Sequence, residues 1–238
     1  MAGQVGRVLV LMGLLLGGMG TSGWAQSDEA AEPSFSTGGG GFFAVGVHET
    51  ALDDLSARLQ AEGYPSVATT LVAVGGGGYS VVADRFLIGG EGYGLIGPAR
   101  TAGGRTITAG GGYGVFTVGY QFRPSPRWRL HPLVGLGGGA VQLEIGSTGA
   151  EDFDDVLQNP NRSATLTSGQ FLVSLGAGAE YRFLGDRETG GLQVGMRVGY
   201  LWAPSRAEWE LGDESLRGGP DATLGGPFVR IHFGGWGS

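Results

Sequence analysis

Residues 171–183 read FLVSLGAGAEYRF, and this stretch decides the fold because side chains of opposite character alternate along it. Every second residue is apolar: Phe171, Val173, Leu175, Ala177, Ala179, Tyr181 and Phe183. The residues between them are Leu172, Ser174, Gly176, Gly178, Glu180 and Arg182. A period of two is typical of β-strands, whose successive side chains point to opposite faces. The stretch therefore predicts a strand with one apolar face and one face of mostly small and charged residues.

Seven other stretches repeat this alternation. The eight predicted strands cover residues 42–49, 71–83, 86–96, 106–122, 128–145, 165–183, 192–202 and 223–233. Short turns alternate with longer polar connections between them, so each strand should run antiparallel to the one before it. Several predicted strands are much longer than those of soluble sheets. The sequence thus predicts an all-β fold, a closed eight-stranded antiparallel up-and-down transmembrane β-barrel.

The apolar face is predicted to contact lipid. The opposite face is mostly glycine with isolated charges, whereas a water-facing surface would be dense in polar side chains. Turned inward, the glycines leave room for larger polar residues in the narrow interior of an eight-stranded barrel. Because a buried charge is tolerated only when paired, we expect an interior polar network. It is assigned to Glu91, Arg129, His131, Glu180, Arg182, Arg197, Arg230 and His232, with Tyr93 beside them.

Aromatic residues collect at the ends of the predicted strands, as in the interface girdles of membrane barrels. Beside the short turns lie Phe86, Tyr120, Phe122, Trp128, Tyr181, Phe183 and Phe233, and at the opposite ends lie Tyr200 and Trp202. Unpaired strand edges are costly in lipid, so the first predicted strand should pair with the eighth.

Residues 1–25 are predicted to be a secretory signal peptide. Arg7 precedes an apolar run over residues 8–16, and small residues lead from it to Ala25. This run is shorter than the roughly 20 residues that a membrane-spanning helix requires. Residues 26–41, acidic and then rich in serine and glycine, are predicted to be a flexible leader. The barrel is accordingly assigned to residues 42–238.

The composition excludes several classes of protein and site. The chain contains no cysteine, which rules out disulfides, thiolate metal sites and cysteine nucleophiles. Its net charge is −7 and it has no basic run, so nucleic acid is not expected as a partner. The 51 glycines alone would suggest disorder, but 41% hydrophobic and 10% aromatic residues argue against it.

Residues 133–145, LVGLGGGAVQLEI, contain a G-x-G-x-x-A spacing at Gly135, Gly137 and Ala140. A dinucleotide site needs these glycines to end a strand and open a helix. Here the alternation continues beyond Ala140, so no helix begins. We interpret these glycines as small residues that allow tight barrel curvature and leave space for inward charges.

The connections between the strands contain few other candidates for a site. Residues 52–63 are predicted to form a short amphipathic helix that packs Leu52, Leu55 and Leu59 on the barrel rim. Trp209 is predicted to be exposed and available to a partner. The acidic stretch 151–155 fits no defined calcium loop and is interpreted as a solvated loop.

Three histidines remain as possible catalytic or metal-binding groups: His48, His131 and His232. His131 and His232 are interpreted as members of the interior network rather than as a metal pair. His48 is the candidate base for catalysis at the outer rim, but no serine lies at a spacing from it that would indicate a catalytic Ser–His pair.

The chain resembles the small eight-stranded outer-membrane β-barrel family of Gram-negative bacteria. Four features carry the resemblance: the signal peptide, the eight alternating runs, the aromatic girdles and the final strand GGPFVRIHF. This family includes opacity-type proteins and the OmpA-like transmembrane domain. The resemblance implies location in the outer membrane, contact with outer-membrane lipid, and insertion by the barrel assembly machinery. Members usually end on an aromatic residue that this machinery recognises. Here Phe233 is followed by further residues, so either Phe233 or Trp236 is the terminal signal.

From these features we expect a monomeric, non-catalytic protein without cofactor or metal. Its role would be structural, or an interaction with an extracellular partner through the loops. Three alternatives remain open: a porin-like narrow pore or small-solute transporter, a lipid-modifying outer-membrane enzyme, and a soluble lipocalin-like carrier.

Overall fold

The computed structural model describes residues 38–147, 163–186, 190–205 and 207–237. Its elements are β1 (Gly38–Glu49), α1 (Asp53–Ala61), β2 (Thr70–Val82), β3 (Phe86–Ile96), β4 (Arg100–Ala102), β5 (Arg105–Tyr120), β6 (Trp128–Ser147), β7 (Ser163–Asp186), β8 (Gly190–Trp202), β9 (Trp209–Leu211), β10 (Glu214–Leu216) and β11 (Gly226–Gly237). Within the described ranges, no helix has the length and apolarity needed to cross a membrane.

Eight of these strands form a closed antiparallel ring in the order β1, β2, β3, β5, β6, β7, β8 and β11. The ring closes because β11 pairs with β8 on one side and with β1 on the other. The closing register runs from Gly39 opposite Gly237 to His48 opposite Phe228. Closure leaves none of the eight strands with an unpaired edge along its ring portion. The predicted antiparallel class and the pairing of the first long strand with the last are confirmed.

The two ends of the ring differ. At the turn end, β2 connects to β3, β5 to β6 and β7 to β8, and β1 begins beside the last residues of β11. The turn between β2 and β3 places Ala83 and Asp84 at φ values of 48° and 61°. Positive φ at two successive residues matches the twist of the flanking strands in a tight hairpin. The loop end carries α1, β4, β9 and β10.

An apolar core occupies the loop end. In α1, Leu55 and Leu59 face inward, and Asp53 and Asp54 in its first turn suit the helix dipole. With Leu52 just before the helix, these leucines are buried, as predicted. They belong to one cluster with Leu71, Ile107, Val141, Leu143, Leu172, Leu201, Trp209, Leu224 and Phe228.

The predicted sidedness of the strands is confirmed. On β7, Phe171 and Leu175 are 48% and 53% exposed on the outer surface. Leu172 and Glu180, which belong to the opposite face of the same strand, are buried. The same alternation holds along the other ring strands, because one face of each closes on the narrow interior.

Several boundaries differ from the predictions. Gly38–Gly41 were assigned to the leader, but they belong to β1: all four pair with β2, and Gly39–Gly41 also pair with β11. At the other end, β11 begins at Gly226 rather than residue 223 and continues through Trp236 to Gly237. Phe122 lies outside β5 and makes an isolated bridge to Leu130. The predicted signal peptide and the leader up to residue 37 lie outside the described residues.

Candidate functional site

The interior of the ring holds large polar side chains because glycines face them. Gly178 on β7 lies opposite His131 on β6, and Gly195 on β8 lies opposite His232 on β11. A Cβ atom at either glycine would collide with the imidazole Nε2 of its partner. The two rings therefore lie over glycine backbone, where any other residue would displace them.

Glu180 lies between these two imidazoles in the interior. Its Oε1 atom is 3.4 Å from Nε2 of His232 and 3.7 Å from Nε2 of His131. The Tyr79 hydroxyl donates to Oε2 of Glu180 at 3.3 Å and accepts from Nε2 of Gln193 at 2.9 Å. One buried carboxylate thus lies beside side chains from β2, β6 and β11 and accepts a hydrogen bond from Tyr79.

A second carboxylate, Glu91, forms an ion pair with Arg197. Both side chains are more than nine-tenths buried. The Tyr93 hydroxyl also donates to Oε2 of Glu91, at 3.2 Å. Because β3 and β8 are not neighbours in the ring, this pair crosses the interior and ties opposite walls together.

Arg230 is buried against aromatic rings rather than a carboxylate within the described ranges. Its guanidinium carbon lies 3.7 Å from the centre of the Tyr93 ring and 3.8 Å from that of Phe228. It donates to the Tyr113 hydroxyl and lies 3.5 Å from Nδ1 of His48. Aromatic faces attract a desolvated cation, so this cluster stabilises Arg230 without an ion pair.

Arg129 and Arg182 lie nearer the turn end. Nη1 of Arg129 donates to the backbone carbonyls of Ser125, Pro126 and Trp128 at 3.0, 3.2 and 2.9 Å. The Arg182 guanidinium lies 4.0 Å above the Trp236 ring. The eight residues assigned to the network therefore lie at three positions along the barrel axis. Arg129 and Arg182 lie near the turn end, the residues around Glu91 and Glu180 lie in the middle, and Arg230 lies closer to the loop end.

The predicted interior network lacks four residues that the structure places in it: Tyr79, Tyr113, His48 and Gln193. Tyr79 and Tyr113 are in phase with inward positions of β2 and β5, so the alternation places them correctly. The prediction gives most weight to charged side chains, and charge does not identify these two tyrosines.

Two candidates at the loop end have different outcomes. Trp209 was predicted to be exposed, but only 6% of it is exposed, and its Nε1 donates to the Pro220 carbonyl at 2.9 Å. That prediction is wrong because the chain folds back over the indole in the loop-end core. The acidic stretch 151–155 lies outside the described residues.

The girdle residues lie on the outer surface. Phe86, Phe122, Trp128, Phe183, Phe233, Tyr200 and Trp202 are each about half exposed, and Tyr120 and Tyr181 are partly buried. At the turn end, Arg85 donates to the Tyr120 hydroxyl at 2.8 Å and Arg127 to the Tyr181 hydroxyl at 3.2 Å. The contact with Tyr120 raises the pKa of Arg85 above its ordinary value.

Little empty volume remains in the middle of the ring. A gap of about 10 Å³, room for roughly one water molecule, lies among residues that include Tyr79, Glu91 and Glu180. A larger cavity of about 400 Å³ lies at the turn end. No group of three or more His, Cys, Asp or Glu side chains in the described part of the chain is placed to hold a metal ion.

No protein-family model and no curated protein sequence matches the chain. Among solved structures, it is similar to Ail, the attachment invasion locus protein of Yersinia pestis, with 14% identity and a TM-score of 0.40 over 84% of this chain and 94% of that one. It is also similar to the outer membrane protease OmpT from Escherichia coli, with 10% identity and a TM-score of 0.25 over 87% of this chain and 98% of that one. Both TM-scores are below 0.5, so the evidence for the barrel is the pairing of the chain's own strands.

Proposed function

We propose that this protein is a monomeric outer-membrane barrel that neither conducts nor catalyses and that acts through its loop end. The observation that carries the proposal is the apolar outer surface of the ring. Every ring strand contributes at least one exposed large apolar residue: Val45, Val72, Ile88, Phe116, Leu136, Leu175, Met196 and Ile231. Soluble monomers rarely expose an apolar patch larger than a few hundred Å². A continuous apolar band between aromatic girdles fits a bilayer and argues against a lipocalin-like carrier.

Replacement of Leu136 by arginine tests this location. Leu136 is 54% exposed in the middle of β6, and arginine on the lipid face near the bilayer midplane costs roughly 2–4 kcal/mol. We expect L136R to lower the urea midpoint of the protein refolded into phospholipid vesicles and to reduce its folded, heat-modifiable band on unboiled gels. Leu211→Arg is the matched control, because Leu211 is similarly exposed on β9 at the loop end. An L136R protein as stable as L211R would contradict the membrane proposal.

A closed interior supports the non-conducting part of the proposal. The Glu91–Arg197 pair crosses the ring, and the leucine-rich core lies above it at the loop end. An ion following the axis would have to break the buried ion pair and then cross the apolar core. These features favour a plugged barrel over a pore or transporter.

In planar bilayers we expect the purified protein to give no conductance steps, at protein concentrations where a porin control inserts readily. Insertion is verified separately by the heat-modifiable band of protein recovered from vesicles of the same lipid. Reproducible steps that Arg197→Ala alters would overturn the non-conducting assignment and favour the pore.

His48, the candidate catalytic base at the rim, is poorly placed for that role. His48 is fully buried, and its Nε2 lies 2.7 Å from the Leu224 carbonyl oxygen. The Phe228 ring stacks beside its imidazole. It has no open path to an outer-leaflet lipid, which supports a non-catalytic role.

The loop end offers an acidic surface to a partner. Exposed carboxylates there include Asp53, Asp54, Glu62, Glu208, Glu210, Asp213, Glu214 and Asp221. A partner with a basic surface would be attracted to it electrostatically. For assembly, we propose Phe233 as the terminal signal, because it is 55% exposed whereas the Trp236 ring lies beneath Arg182.

A further inference from the structure

The turn-end cavity is lined by basic side chains in an otherwise acidic protein. Its charged lining residues are Asp84, Arg123, Arg127, Arg129 and Arg182, which gives four positive charges against one negative. The whole chain has a net charge of −7. This end therefore has the opposite electrostatic character to the loop end.

Two buried N–H donors in this lining have no hydrogen-bond partner within the described ranges. Gln121 is only 2% exposed, and its Oε1 accepts from Nε of Arg123 at 2.9 Å, which leaves its Nε2 without an acceptor. Nε1 of Trp236 is also buried without an acceptor. Both atoms are closed off from water, so an acceptor in the cavity reaches them only if the lining side chains shift, and it would then recover the free energy that an unsatisfied buried donor costs.

Arg182 adds a third unsatisfied donor. Its guanidinium stacks on the Trp236 ring, and its Nε has no partner within the described ranges. Stacking fixes the plane of the guanidinium, and a fixed planar fork is well suited to two oxygens of one anion.

We infer that this cavity binds a compact oxyanion with more than one negative charge, of the chemical class of a phosphate group. The guanidinium groups of the lining arginines supply donors, and the excess of positive charge in the lining favours a multiply charged ligand over a single carboxylate. This inference goes beyond the proposed function, which concerns the opposite end of the barrel. The phosphate could belong to a lipid headgroup of the adjoining leaflet or to a soluble molecule.

Titration of the full chain in neutral detergent micelles with inorganic pyrophosphate, followed by calorimetry, tests the inference. We expect saturable binding that weakens as salt rises, because exposed charges are screened. The double variant Arg123→Gln/Arg182→Gln should bind at least about tenfold more weakly, since each lost charged hydrogen bond contributes substantially. Arg217→Gln removes an exposed arginine at the loop end and should leave the affinity unchanged.

Two further arms keep the test decisive. Arg123→Gln alone changes an exposed residue and replaces the double variant if that protein lacks the folded, heat-modifiable band. Asp28→Asn/Glu29→Gln/Glu32→Gln neutralises acids that precede β1 in the sequence and tests whether their charge affects pyrophosphate binding. Absence of saturable pyrophosphate binding in both the parent chain and this triple variant would overturn the inference, as would binding that Arg123→Gln leaves unchanged.

The source of the phosphate is distinguished in nanodiscs. Pyrophosphate affinity is compared in phosphatidylcholine alone, with added phosphatidic acid, whose phosphomonoester carries more than one negative charge, and with oleate added to the same charge density. Oleate reproduces the surface repulsion without a phosphomonoester. A loss of affinity specific to phosphatidic acid identifies the headgroup as the ligand, and equal affinities with phosphatidic acid and oleate identify a soluble phosphate.

Discussion

Glu91→Leu is expected to destabilise the barrel by about 3–5 kcal/mol, because removing one partner leaves a buried charge uncompensated. The Arg197 side chain is 6% exposed and would remain inside the ring without its carboxylate. The Tyr93 hydroxyl would lose its acceptor as well. The measurement is the free energy of unfolding in urea, for protein refolded into vesicles and followed by the heat-modifiable band.

The double variant Glu91→Leu/Arg197→Met separates the value of the pair from the cost of breaking it. With both charges gone, most of the lost stability should return, because well-packed apolar residues often replace a buried ion pair at little cost. Glu62→Leu is the exposed control: Glu62 lies 4.0 Å from Arg58, both side chains are more than half exposed, and little change is expected. A double variant as unstable as the sum of its two single variants would show that the charges do not act as a pair.

Gly137→Ala is expected to cost about 2–3 kcal/mol, in the range found for overpacked interiors. Gly137 faces inward on β6, where an added Cβ would overlap the Gly114 carbonyl oxygen and come within 2.7 Å of the Val115 Cα atom. Both obstacles are backbone, so the strands themselves would have to separate. The expected result is a lower urea midpoint and a smaller fraction of heat-modifiable protein.

Gly138→Ala, at the next residue, is the matched control. Its Cβ would point outward, with its nearest neighbour, the Gln170 carbonyl oxygen, at 3.4 Å. Strands generally disfavour glycine, so Gly138→Ala should cost little, and equal losses in the two variants would mean that close approach at Gly137 does not decide the effect. A Gly137→Ala variant with an unchanged urea midpoint would contradict the argument that the backbone of β5 approaches too closely for a side chain at this position.

These glycines lie in the stretch that resembles a nucleotide-binding turn. Gly135, Gly137 and Ala140 are all paired within β6, opposite Thr117, Val115 and Gly112 of β5, so no helix opens there. At Gly137 an added Cβ would collide with the backbone of β5, so a small residue is needed there, whereas the interpretation that these glycines allow tight curvature stays a prediction. The clearance for inward polar residues lies elsewhere, at Gly178 and Gly195.

The strands were predictable because alternation is a local property that each stretch carries by itself. Gly38–Gly41 were missed since four glycines have no alternating side chains, and their place in β1 depends on partners at both edges. The Glu91–Arg197 pair could not be specified in advance, because its register across the interior is set by every strand between them. The aromatic cluster around Arg230 could not be predicted for the same reason, because its rings come from different strands and no local pattern in the sequence links them.

Ring closure also constrains the order of folding. The closing pair joins residues near opposite ends of the described chain, Gly39 with Gly237, and it needs the whole of β11. Such distant contacts form late and slowly, because the entropy of closing a long loop must be overcome first. Until β11 arrives, β1 has an open edge that could pair with another chain. A truncation within residues 226–237 should therefore yield a chain prone to aggregation rather than a smaller barrel.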